Sequence, residues 1–97
     1  LIQYINDHLS EPLDMDTLAS ELYISKYHMM RLFKTETSST IGSYINQKRL
    51  LTARDLILQG VSVTDACFQS GFKDYSTFSR AYKKEFKVSP RNTLNKI

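Results

Sequence analysis

The sequence predicts an all-α protein: seven helices forming two helix-turn-helix subdomains on a long connector helix. Three observations predict it. Apolar residues recur at helical spacing, with almost no strand-like alternation. Capping residues stand just ahead of the periodic stretches. Finally, Met29-Met30-Arg31-Leu32-Phe33-Lys34 returns as Phe78-Ser79-Arg80-Ala81-Tyr82-Lys83, 49 positions later.

The elements follow in order. The first helix covers about 2–9, and the second opens at Asp14, which caps it, and runs to about 21. Ser25 caps the third, 26–36. Thr40 opens a long fourth, 41–58, which Gly60 ends. Ser62 caps the fifth, with Asp65 at the far position of a capping box. Asp74 caps the sixth, 75–85. Ser89-Pro90 opens a seventh, with proline at the first helical position, where its missing N–H costs little.

Each copy of the repeat follows a short helix and a tight connection. The first connection is Leu22-Tyr23-Ile24-Ser25; the second is Ser70-Gly71-Phe72-Lys73-Asp74. Gly71 supplies the positive φ that a sharp turn requires. A short helix, a tight turn and a second helix make a helix-turn-helix unit. Residues 1–40 and 60–97 are thus expected as two homeodomain-like three-helix units, with 41–59 as the connector.

The connector carries its own signal. Ile41, Tyr44 and Ile45 share one side, and Leu50, Ala53, Leu56 and Ile57 share another, about 140° around at about 100° per residue. A rod that packs on one body and then on a second needs such a shift.

Composition sets the outer limits. A chain of 97 residues holds one domain or two very small subdomains. No apolar run approaches the roughly 18 residues of a membrane span, so no membrane partner is expected. One cysteine, Cys67, leaves no internal disulfide or multi-cysteine zinc site, and the cytoplasm is the simplest compartment. No cofactor is expected. Net charge is +3, unevenly spread. Residues 1–24 hold five acids and no Lys or Arg; all 13 basic residues follow, against five acids. Such asymmetry points most of the chain at a polyanion.

Both copies of the repeat divide their faces alike. In the third helix Met29, Leu32 and Phe33 face inward, and Tyr27, Arg31 and Lys34 outward. In the sixth, Phe78, Ala81 and Tyr82 face inward, and Ser76, Arg80 and Lys83 outward. The DNA major groove admits one α-helix, and arginine pairs bidentately with guanine there. Arg31 and Arg80 are therefore the leading base readers, followed by Tyr27, Met30, Ser76 and Ser79. Lys26, Lys34, Lys73, Lys83 and Lys84 suit phosphates, which position a protein without reading sequence. Helix starts at Ser25 and Thr40 offer N–H groups to phosphate oxygens; Asp74 opens a third such start, but its carboxylate repels them.

These residues resemble the AraC/XylS family of bacterial transcription regulators over nearly the whole chain. The second unit carries the more specific match: Cys67, Gly71-Phe72, Asp74, Phe78, Arg80, Tyr82-Lys83 and Ser89-Pro90. The first offers Leu18-Ala19, Ser25, Arg31 and Phe33-Lys34, with Tyr44, Arg49 and Ala53 in the connector. Cys67 replaces the usual alanine, and Ala66 a larger aliphatic. Ser38 and Lys87 replace glycines that commonly follow the recognition helices, and Arg91-Asn92-Thr93-Leu94 a tyrosine-arginine ending. The resemblance implies binding to double-stranded DNA at promoters, often activation through RNA polymerase, and a separate effector or dimerisation domain.

Two other classes compete. A DNA-repair methyl acceptor of related architecture would use Cys67 as nucleophile. Against any enzyme, His8 and His28 stand apart and no metal or phosphate-loop motif is present. A helical protein-interaction module would use Tyr4, Met15, Tyr23 and Met30 as an apolar patch.

Overall fold

The computed structural model describes residues 1–94. It contains α1 (Ile2–Asp7), α2 (Met15–Leu22), α3 (Lys26–Thr37), α4 (Ile41–Leu58), α5 (Val63–Gln69) and α6 (Tyr75–Phe86). The described residues include no strand.

The five expected caps all form. Asp14 accepts from the N–H of Thr17, Ser25 from His28, Thr40 from Ser43, Ser62 from Asp65 and Asp74 from Thr77, at 2.9–3.3 Å. Each satisfies an amide that the helix itself leaves unpaired, for about 1 kcal/mol.

The C-terminal ends repeat between the units as well. Tyr23 ends α2 at φ 58°, and Gly71 follows α5 at φ 110°. In each case the next residue reaches back, Ile24 to the Ala19 carbonyl and Phe72 to Cys67. This is a Schellman turn in both helix-turn-helix connections. The second connection is one residue longer, because Lys73 intervenes before the cap.

Ser38 and Lys87, where the family resemblance leads one to expect glycine, both adopt the left-handed conformation, at φ 63° and 67°. Their amides reach the carbonyls of Lys34 and Lys83 at 2.8 Å. Local bonds hold each residue there: Thr37 Oγ1 accepts from the Ser39 amide, and Lys87 Nζ donates to the Lys84 carbonyl. A side chain in this region costs about 1–2 kcal/mol, of which glycine's chain entropy returns part. Lys87→Gly is expected to raise stability by about 0.5–1 kcal/mol in urea unfolding. An unchanged or lower midpoint would show that the lysine sits there without strain.

Two corrections arise at the ends of the chain. The expected seventh helix is a 3-10 turn at Pro90–Asn92, not an α-helix. Its bonds run three residues back, Asn92 to Ser89 and Thr93 to Pro90. Thr93 is then pinned by its hydroxyl to the buried Tyr82 Oη at 2.6 Å, which fixes the tight geometry. Residues 95–97 of the expected second subdomain, 60–97, lie outside the described residues. At the other end α1 stops at Asp7 rather than 9, where His8 turns its amide to the Ile5 carbonyl.

The core is two clusters. Ile5, Leu18, Ala19, Met29 and Phe33 gather around Ile41 and Ile45 of α4. Ala66, Cys67, Phe72, Phe78 and Tyr82 gather around Leu50, Ala53 and Ile57 of the same helix. The two apolar stripes of α4 thus serve two bodies. Tyr44 meets Phe33 edge-on at 5.3 Å between ring centres. The molecule is elongated, 44 × 22 × 21 Å. Leu32, expected inside, is 44 % exposed. It lines an open groove together with Leu1, Ile2, Leu22 and Ile24.

Candidate nucleic-acid interface

The outward faces of α3 and α6 emerge from the same construction. Phe33 and Tyr82, 49 positions apart, are both buried and lock each helix by one face. Arg31 and Arg80 stand two positions earlier, and both are exposed. Neither makes an ion pair among the described residues, so both guanidiniums keep their full set of donors.

Around Arg31, Tyr27 is 74 % and Met30 44 % exposed. Met30, Arg31, Lys34 and Thr40 line one groove with Met15, Ile41 and Gly42. The α3 face therefore continues onto the start of α4. Around Arg80, Ser76 is exposed but Ser79 is only half-exposed, which shortens its reach.

Among the phosphate candidates, Lys34, Lys73, Lys83 and Lys84 are exposed. Lys26 is engaged: its Nζ lies 3.3 Å from the Asp16 carboxylate and 5.9 Å from the Tyr27 ring centre. Any phosphate at Lys26 would compete with Asp16 for the ammonium. The Ser25 and Thr40 hydroxyl oxygens accept their cap bonds and keep a hydrogen to donate. Asp74 is ionised more readily than an ordinary carboxyl. Its pKa is lowered first by the Thr77 hydroxyl, then by the Thr77 and Ser76 amides and Arg80. Its cap is therefore present at neutral pH and is lost only as pH falls below the ordinary carboxylate range.

Sequence reasoning missed the ground between the two helices. Asn46 of α4 borders two clefts. One also holds Lys73 and Thr77, the other Gln47, Lys84 and Lys87. Gly42, Ser43, Asn46 and Gln47 are exposed along one side of α4. The signal was there: a polar stripe interrupts the connector's apolar ones. Arg54 was missed too, stacked over Phe86 at 4.5 Å.

Cys67 is fully buried on α5. Burial first, and Asp74 next, push its thiol pKa up, so it holds its proton more tightly than a free thiol. It belongs to the core.

Two capped helix-turn-helix units, each with a free outward arginine, define the class: a DNA-binding domain built on a double helix-turn-helix. A helix-turn-helix domain model matches residues 18–96. The chain belongs to the AraC-type helix-turn-helix family of transcription regulators.

The relatives agree. The regulatory protein SoxS of Salmonella typhimurium is 34% identical over 98 residues, covering 100% of this chain and 92% of that protein. The right origin-binding protein of Escherichia coli is 37% identical over 91 residues, covering 93% of this chain but only 32% of that protein. Among solved structures, the C-terminal domain of AraT, a response regulator from Geobacillus stearothermophilus, has a TM-score of 0.92 at 26% identity, over 98% of this chain and 80% of that one. The DNA-binding domain of AdpA, solved in complex with a target DNA, has 0.85 at 26%, over 93% and 82%. No described helix is long and apolar enough to cross a membrane.

Proposed function

We propose that α3 and α6 enter adjacent major grooves of one duplex and read its sequence for a transcription regulator. The observation that carries this is the paired exposure of Arg31 and Arg80 on helices anchored by the same buried aromatic position. Arg31 and Arg80 read bases, supported by Tyr27, Met30, Ser76 and Ser79. Ser25, Lys26, Lys34, Thr40, Lys73, Lys83 and Lys84 hold phosphates. Residues 1–40 and 60–97 act as the two reading units and 41–59 as the spacer. The output is promoter activation through RNA polymerase, in the cytoplasm and on the nucleoid when bound. Effector binding or dimerisation falls to a separate domain. The domain itself works by binding and catalyses no reaction.

The 18 residues of α4 rise about 27 Å, against about 34 Å for one DNA turn. That mismatch favours bent DNA, or unequal engagement of the two units. Circularly permuted sites should show position-dependent gel mobility; uniform mobility with both grooves footprinted rejects this.

Selection from random duplexes should return two blocks about one turn apart. Four to five phosphate-bound lysines should make affinity fall with salt at a log–log slope of about −4. A slope near zero would favour a protein-interaction module instead.

A further inference from the structure

Three parts of the molecule meet at Arg49. From the middle of α4 it donates Nε–H to the Leu9 carbonyl at 2.9 Å and Nη2–H to the Glu11 carbonyl at 2.8 Å. Both carbonyls lie in the loop between α1 and α2, in the first unit. Leu9 packs on the first core, whereas Leu50, beside Arg49, is buried in the second.

The third part is the turn of the second unit. A Cβ on Gly71 would overlap the Leu9 carbonyl oxygen and stand 2.6 Å from Arg49 Nε. The Leu9 carbonyl is therefore held between Arg49 and the bare α-carbon of Gly71. Three residues beyond Gly71, Asp74 caps and starts α6. The guanidinium is half-buried here and meets carbonyls rather than a carboxylate among the described residues.

We propose that Arg49 is a positioning residue: it clamps the first unit to the turn that launches α6, and so sets the half-site spacing the domain accepts. This rests on the two-groove reading above. Without the clamp the units are joined by α4 and by the unbonded Leu9–Gly71 contact, which twist and slide more easily than a body braced by the two Arg49 hydrogen bonds. One inserted base pair moves the second block by about 3.4 Å and turns it by about 35°. A braced domain must distort the DNA to follow; a loose one follows by flexing.

The test uses a selected bipartite duplex, the same blocks one or two base pairs nearer or farther apart, and a single-block duplex. Wild type should lose about tenfold or more in affinity per inserted base pair. Arg49→Met should lose less than about threefold, with single-block affinity and helical circular dichroism retained. Arg49→Lys, which reaches one carbonyl at a time, should fall between. A role confined to holding the loop would weaken binding equally at every spacing, so an unchanged spacing profile in Arg49→Met overturns the proposal. If Arg49→Met does not fold, an Arg49→Lys profile superimposable on wild type overturns it. A wild type indifferent to spacing overturns the two-groove reading instead.

Discussion

Gly71→Ala should cost about 2–6 kcal/mol, since a left-handed φ and a steric overlap each contribute about 1–3 kcal/mol. At φ 110° an L side chain is strained whatever the space around it. Here there is also no space, because the new methyl meets the Leu9 backbone and Arg49 Nε. The backbone oxygen cannot rotate away as a side chain can. It shifts only if the α1–α2 loop moves, which breaks both Arg49 bonds. A domain of this size holds roughly 5–15 kcal/mol in all, so a large share is lost. Urea unfolding followed by circular dichroism measures it. By contrast, Gly60→Ala adds a methyl into open space and meets only the φ of 103°. It should cost visibly less, and equal losses at the two glycines would show that the overlap with Leu9 contributes nothing.

Arg31→Ala combined with Arg80→Ala should lower affinity for the selected site by about 2–6 kcal/mol, as each bidentate contact gives about 1–3 kcal/mol. The two arginines sit on separate units with no shared partner, so their effects should add. Each single variant should relax preference at its own block and leave the other block unchanged. Neither should move the unfolding midpoint much, because both side chains are exposed and make no ion pair among the described residues, and Arg80 acts on Asp74 only as the weakest of the influences on its pKa. A lysine variant such as Lys83→Ala should behave differently, weakening all sequences alike and flattening the salt slope by about 1. Equal base preference in wild type and the double variant would remove Arg31 and Arg80 from the reading role.

The all-α class and the repeat were written locally. Caps at Asp14, Ser25, Thr40, Ser62 and Asp74 act over three residues, so sequence alone locates them. The two stripes of α4 reflect a fixed angle per residue, so its division between two bodies was legible as well. Exposure of Arg31 and Arg80 followed from the same periodicity.

What escaped the sequence depends on contacts between distant segments. Leu32 carries the spacing of a core residue, yet it lines an open groove with Leu1, Ile2, Leu22 and Ile24, and which helical residues find a neighbour is decided between segments. The seventh element bears a helix-start signal, and the Tyr82 to Thr93 bond, 11 residues apart, draws it into a 3-10 turn. Gly71 reads as a turn glycine, and its second duty beside Leu9 appears only when residues 62 positions apart meet. Arg49 stands 40 and 38 positions from its two acceptors. Periodicity and caps report on neighbours within a turn or two; only the folded chain decides which backbone oxygens an arginine in mid-connector will find.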